Sequence, residues 1–391
     1  MTPSGVQKPL TLILVGGGHS HAIALREWAL KPLAGVQVIL ITEEPTTPYS
    51  GMLPGYVAGH YRFDDCHIDL GPLAQAAQAQ FYVDRVIGLD LESQQVRCVH
   101  HPPFSFDWLS IDIGSTPKLP KLPGVLDYGV AVKPWRGFLQ QWQQLVTQVS
   151  QRPTQPIEVG VIGGGAGGVE LALTIQYQLQ QVLRRAGQPC DHLRMHLVHQ
   201  GPEVMPEHPS GLRHRFYQLL CQRGVKVHLQ QRVTQVQPGL LLCASGLHLA
   251  CDRSFWVTGA AAAPWPHQAG LATDLQGFIQ VRATLQSLSH PQVFATGDIA
   301  AMVESPRPKA GVFAVRQGKP LAENLRRAVQ GQPLQRYQPQ SRFLSLISTG
   351  DRQAMLSWGT FAWPWESTWL WRWKDTIDRQ FMNQFRRESL L

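Results

Sequence analysis

Twice in this chain a short apolar run breaks into glycines and then resumes as a helical pattern. The first run covers residues 12–21, with glycines at 16, 17 and 18. The second covers 159–170, with Gly163, Gly165 and Gly168. A strand that turns abruptly into a helix needs residues without Cβ at the turn. The helix start then offers unpaired N–H groups and a positive dipole end, which suit a pyrophosphate. One such turn constrains little. Two of them, 147 positions apart, predict an α/β chain that holds two dinucleotides at once.

With 391 residues there is room for two to three domains with proper cores. A net charge of +8 permits attraction to anionic lipid or acidic partners. No run of consecutive Lys/Arg is long enough to argue for nucleic acid. The N-terminus passes into a six-residue strand, Leu10–Val15, without the basic start and long apolar core of a secretion signal. No apolar run reaches the roughly 18 residues a spanning helix needs. The expected location is therefore cytoplasmic, with peripheral attachment to the inner face of a membrane as the finer expectation. Six cysteines, at 66, 98, 190, 221, 243 and 251, contain no C-x-x-C pair and read as reduced structural thiols.

Along the first unit, residues 38–41 form the next strand, and Glu43 after it is the candidate acid for ribose hydroxyls. Thr42 takes that place if the register slips by one. The third fingerprint position is His21 rather than glycine, so helix and strand should pack less closely there. His19 and His21 stand where a phosphate-facing helix begins, which argues against a metal role, and no metal is expected. Residues 48–55 are rich in turn formers yet carry Tyr49, Met52 and Leu53, which suits a backbone segment lying close to a flat ligand. Residues 87–99 read as a pair of short strands, and 107–117 as a strand closing on Gly114.

Residues 134–152 carry Trp135, Phe138, Leu139, Trp142, Leu145 and Val146 at helical spacing, and a Pro-containing linker follows. The second unit's helix should run from Gly168 to about Arg185, with strands at Leu193–Val198, 225–229, Leu240–Cys243 and 254–258. Where an NADH-specific unit usually carries an acid, this chain has His199 and Gln200. Without that acid nothing repels a 2′-phosphate, and Arg194 or Arg213 are candidate attractors. NADPH is as admissible as NADH. Residues 290–299 form another strand closing on Gly297 and Asp298. Asp298 suits either a polyol contact or an N-cap for a helix over 299–303.

The composition changes after Pro339: six of the twelve tryptophans fall between Trp358 and Trp373. Trp369, Leu370, Trp373, Ile377, Phe381 and Phe385 share one helical face, with Arg372, Lys374, Arg379, Arg386 and Arg387 as cations and Glu366, Asp375, Asp378 and Glu388 offsetting them. Such a helix either lies in the headgroup plane of a membrane or docks on the protein's own body or on a second copy as a homodimer. The tryptophan density favours the membrane, because the ring is apolar and its N–H is wet.

These features in this order resemble the flavoproteins with two dinucleotide-binding domains, the pyridine nucleotide-disulfide oxidoreductase superfamily. More narrowly, residues 16–21, 48–54, 308–318 and 374–379 look like a type II NADH dehydrogenase-like branch related to the flavoprotein fused ahead of selenide, water dikinase. The likeness runs over nearly the whole chain. It implies two Rossmann-like domains, the second inserted in the first, and a C-terminal α+β region ending in an amphipathic helix. The expected division is 1–125 and 281–332 for FAD, 126–280 for NAD(P)H, and 333–391 for the C-terminal region.

The resemblance further implies that FAD is held by Gly16, Gly18, His19, Ser20, Glu43, Pro48, Tyr49, Ser50, Gly297 and Asp298. NAD(P)H is implied at Gly163, Gly165 and Gly168. Glu170 matches the acid that follows the glycines in type II dehydrogenases and approaches flavin and quinone; its plainer role is a first-turn helix acid. Disulfide reductases and sulfide:quinone reductases need cysteines beside the flavin, and none here is spaced for it. A quinone reductase remains, with one departure. The stretch 311–318 keeps Gln317 but has Val312 and Arg316 where relatives carry glutamines, so Arg316 is expected to hold an anionic acceptor or reduced flavin instead. The expected activity is hydride transfer from NAD(P)H to FAD, then electrons to a quinone at a membrane surface. Alternatives are a soluble reductase of a small selenium or sulfur acceptor, and a flavin-binding partner protein without turnover.

Overall fold

A computed structural model describes residues 8–119 and 121–386. Residues 387–391 fall outside it, and with them Arg387 and Glu388 of the expected helical face. Strand β1 (Leu10–Val15) leads through the first glycine turn into α1 (His19–Leu30), and β2 (Val36–Thr42), β3 (Gln80–Val83) and β4 (Trp108–Ile111) follow. The second unit runs β5 (Gly129–Ala131), α2 (Trp135–Gln151), β6 (Ile157–Ile162), α3 (Ala166–Arg185), β7 (Leu193–Val198), β8 (Val225–His228) and β9 (Arg253–Trp256). The chain then returns to the first unit with β10 (Val293–Ala295) and α4 (Gly311–Val329). The C-terminal region is an antiparallel meander, β11 (Leu344–Ser348), β12 (Ala354–Trp358) and β13 (Phe361–Ser367), and α5 (Thr368–Asn383).

Both large sheets are five-stranded and parallel, in the orders β10-β4-β1-β2-β3 and β5-β9-β6-β7-β8. In each, the strand that ends in glycines is central. Val15 faces Ile41 on one side and Ile111 on the other, and Ile162 likewise lies between Val198 and Trp256. Strand order reverses at these central strands, so a crevice opens beyond their C-terminal ends. Strands buried on both faces need apolar side chains throughout, which is why Leu12, Ile13, Leu14 and Val15 are all buried.

Two cores follow. The first joins β1, α1 and β2 to Phe294, Leu321 and Leu325; the second packs Phe138, Leu139, Trp142 and Leu145 of α2 against Val159, Val161 and Leu171. Leu271, Phe278 and Ile279, expected within the second unit, pack in the first core, and strand Ile279–Val281 pairs with Ala300–Met302. That pairing also removes the expected helix over 299–303: a single 3₁₀ turn, Gly297–Ile299, passes straight into strand, so Asp298 caps no helix there. The C-terminal region touches both cores, Ile347 and Met355 the second and Met382 and Phe385 the first.

The helical face expected in the tail divides in two. Leu370 and Phe385 are buried and Phe381 packs against the first core, whereas Trp369, Trp373 and Ile377 are exposed. Strand β13 adds Phe361, Trp363 and Trp365 to the exposed set by simple alternation. Among the described residues no helix is long and apolar enough to cross a membrane.

Candidate active site

A cleft of about 840 Å³ runs from the second glycine turn, Gly163 to Gly165, past Glu170 and Lys133 to Ser50 and Asp298 of the first unit. Gly16 adopts φ +92°, and a Cβ there would stand 2.4 Å from the carbonyl oxygen of Asp112. Gly163 adopts φ +127° and would meet the Val257 carbonyl at 2.2 Å. Neither position accepts a side chain. A Cβ on Gly168 would lie 1.8 Å from the Gly163 carbonyl, so α3 presses directly on its own turn, while Gly165 faces open space.

The first turn differs. His21 is fully buried, its Nδ1 donating to the Gly16 carbonyl at 2.7 Å and its Nε2 accepting from the Ser110 hydroxyl at 2.8 Å. Burial lowers its pKa to about 4, against the pull of the Gly16 carbonyl, so the ring is neutral. His19 is lowered to about 4 as well, by burial and then by Lys133, and its Nε2 is buried with no protein partner. Ser20 donates to the Ala314 carbonyl at 2.6 Å and ties α1 to α4.

Asp112, which sequence inspection passed over, sets its carboxylate against this helix start. Its Oδ2 accepts the His21 N–H at 3.1 Å, and a Cβ on Gly18 or Gly297 would meet the carboxylate at 2.3 Å. Burial raises its pKa to about 7 although the amides of His21 and Ser20 pull it down. The signal was an acid at the end of an otherwise apolar strand. Glu43 is exposed just beyond β2, while Thr42 is buried with its hydroxyl 3.2 Å from the place of a Gly17 Cβ. Pro48 ends a short strand, Tyr49 stacks on Phe381 with centroids 4.4 Å apart, and Ser50 lines the cleft.

Asp298 accepts from the Ser115 hydroxyl at 2.8 Å and pairs with Lys133 at 3.0 Å. Burial alone would raise its pKa, but Lys133, Ser115 and Lys309 together hold it below the usual carboxylate range. Lys309, also in the cleft wall, lies 3.9 Å from the centroid of Phe278 and is lowered to about 8, mainly by burial. Lys133 and Ser115 carry no local motif, and only the fold brings them to Asp298.

Glu170 looks into the cleft from the first turns of α3. Its Oε1 accepts the Ser348 N–H at 2.8 Å, and burial raises its pKa to about 7 against the opposing pull of Lys374 and the Ser348 amide. Lys374 donates to the Gly51 carbonyl and pairs with the buried Asp378. The carboxyl is thus a proton store poised near neutrality. Gln317 stands elsewhere: its Oε1 accepts the Gly297 N–H at 2.7 Å, which fixes the Asp298 turn from behind. Arg316 is exposed on α4 and does not line the cleft. In the second unit Arg194 pairs with Glu158 at 2.8 Å and Arg213 with Glu203 at 2.6 Å, so both expected phosphate attractors are engaged.

The family model described as pyridine nucleotide-disulphide oxidoreductase matches residues 11–318, most of the chain. The chain belongs to this family. Within the pyridine nucleotide-disulphide oxidoreductases it is 27% identical over 257 residues to an NADH dehydrogenase-like protein of Mycobacterium tuberculosis, covering 66% of this chain and 64% of that one. It is 26% identical to the demethylphylloquinone reductase of a Synechocystis strain, covering 63% and 60%. The chain spans less than two thirds of the length of these curated relatives. In fold it matches the Plasmodium falciparum NDH2 structure in complex with NADH, with TM-score 0.78, 13% identity and coverage of 96% and 98%.

Proposed function

We propose that this pyridine nucleotide-disulphide oxidoreductase is an FAD-dependent NAD(P)H dehydrogenase that delivers electrons to a quinone at a membrane surface. The observation that carries this reading is one continuous cleft that runs from the second glycine turn to Ser50, Ser115 and Asp298 of the first unit, with Glu170 in its wall. The residues of the first turn fit FAD: His19 Nε2 is buried without a protein partner, and the Gly16 turn is too tight for any side chain. Bound there, FAD would supply the hydride acceptor and the electron donor of the reaction.

The chain's own part is position and field. Gly16, Gly18 and α1 would hold one anionic pyrophosphate, and Gly163, Gly165 and α3 the other. Asp298, kept charged by Lys133, accepts hydroxyl hydrogens, and Gln317 positions it by holding Gly297. Glu170 keeps a proton at its carboxyl near pH 7 for the quinone oxygen. This assignment leaves Arg316 without a role. The names of the mycobacterial and Synechocystis relatives support the nucleotide and the quinone. The domain division follows the same reading, with the second unit ending near residue 259 because residues 271–279 pack in the first core.

Exposed Trp363, Trp365, Trp369 and Trp373 form the surface we assign to the lipid interface. The purified protein should carry flavin that NADH or NADPH bleaches anaerobically, and should reduce a short-chain quinone. Glu170→Gln should lower that rate roughly 100-fold and remove the fall in rate as pH rises through about 7. Flavin that neither nucleotide bleaches would leave only a flavin-binding protein. Replacing Trp363, Trp365 and Trp369 by Ser should abolish co-sedimentation with liposomes. Undiminished sedimentation sinks the membrane assignment, and a dimer that the triple variant dissociates would assign the surface to a second copy.

A further inference from the structure

The adenosine end of the second nucleotide site lies where β7 ends, beside the glycine turn, because Gly163 donates to the Val198 carbonyl at 2.9 Å. A carboxylate at this place takes the ribose 2′- and 3′-hydroxyls and repels a 2′-phosphate. Here the next residues are His199 and Gln200, and both line the cleft. The facing wall comes from the segment after β8. Its backbone is stitched to the β7 turn: Gln231 N–H donates to the His199 carbonyl at 2.9 Å and Gln230 N–H to the Gly201 carbonyl at 3.0 Å. That stitching carries Arg232 to the cleft wall next to His199 and Gln200.

We propose that Arg232, with His199 and Gln200, forms a subsite for the 2′-phosphate of NADPH, and that this chain takes NADPH in preference to NADH. The proposal rests on the reading of the second glycine turn as a nicotinamide-nucleotide site. Three observations support it. Arg232 is exposed to the cleft and its guanidinium pairs with no carboxylate among the described residues, whereas Arg194 and Arg213 are bound to Glu158 and Glu203. Among the described residues the acids that line the cleft are Glu170 and Asp298, and these are engaged by the Ser348 amide and by Lys133 and Ser115. His199 Nδ1 accepts the Gly164 N–H at 3.1 Å, so the neutral ring carries its proton on Nε2 as a donor.

A dianionic phosphate facing a guanidinium and two neutral donors gains charge-assisted hydrogen bonds that a ribose hydroxyl does not. NADP⁺ and NAD⁺ are therefore to be titrated calorimetrically into the flavin-loaded full chain, a readout independent of turnover. NADP⁺ should bind at least about tenfold tighter than NAD⁺. Arg232→Ala should weaken NADP⁺ roughly tenfold and leave NAD⁺ unchanged, which also shows the variant is folded; Arg232→Lys should recover part of the loss. Arg194→Ala should change neither. Tighter NAD⁺, or an Arg232→Ala effect equal on both nucleotides or absent from both, overturns the subsite alone. Binding of neither nucleotide to the unaltered protein overturns the subsite and the nucleotide-site reading together.

Discussion

The two glycine turns are alike until their last position, and there they meet the turn's carbonyl by opposite means. In the second unit Gly168 lies against the Gly163 carbonyl because it has no side chain to interpose. In the first, His21 stands at that position, and its ring occupies the space and hydrogen-bonds the equivalent carbonyl, that of Gly16. What the fold requires is therefore not glycine as such. It requires that the last position leave the carbonyl either a close, unobstructed approach, as Gly168 does, or a hydrogen-bond partner, as His21 does.

The largest expected effect tests the tighter turn. Gly168→Ala puts a methyl 1.8 Å from a backbone oxygen that cannot swing aside. Overpacking of this kind should cost upwards of about 3 kcal/mol. It should also abolish NAD(P)⁺ binding while leaving the flavin in place, read by thermal unfolding and by nucleotide titration of the flavin-loaded protein. A variant that melts and binds like the parent would mean that α3 is not pinned by this contact.

The looser turn makes a sharper test. His21→Gly writes the full glycine fingerprint into the first unit, and by sequence logic it should be an improvement. By the structure it is a loss. It removes the partner of the Gly16 carbonyl, strands the Ser110 hydroxyl and leaves a void at a fully buried position. The cost should be roughly 2–3 kcal/mol in denaturant unfolding. Equal stability would show that α1 can close onto its turn as α3 does, and the contrast between the units would vanish.

The same contrast marks how far the sequence was legible. Strands and helices of both units were readable because apolar runs, helical spacing and glycine breaks are local signals; the strand Leu193–Val198 and the helix over 135–151 lie where the pattern puts them. The surroundings of Asp298 were not, because Ser115 and Lys133 reach it from 183 and 165 positions away. Gln317 was readable as a residue of the site but not as a support, since its bond to Gly297 depends on how α4 lies against the turn. Helical spacing in the tail caught Trp369 and Trp373 but missed the period-2 alternation of Phe361, Trp363 and Trp365. Asp112 was missed because an acid closing a buried strand looks like an error of register until the helix start above it is in view.

Asp112 also yields the smallest predicted effect, and the one that most refines the comparison. The second helix start has open space at Gly165, whereas the first faces a buried carboxylate. Burial lifts that carboxyl from an ordinary 3.8 to about 7 in the folded chain. A raised acid pKa means the folded state binds the proton more tightly than the unfolded state, so the stability gained from protonation is lost as pH climbs from about 4 to about 7. Glu170, raised to about 7 by burial, adds a slope of the same sign. Asp112→Asn keeps the shape and the acceptor for the His21 amide but cannot ionise. Its unfolding free energy should therefore change less between pH 5 and pH 7 than the parent's, by roughly 2 kcal/mol, with the remaining slope due to Glu170. Parallel curves for the two proteins over that range would mean that the Asp112 carboxyl is already ionised when folded. The first turn would then hold a fixed negative charge where the second holds none, and the two sites would differ in field as well as in packing.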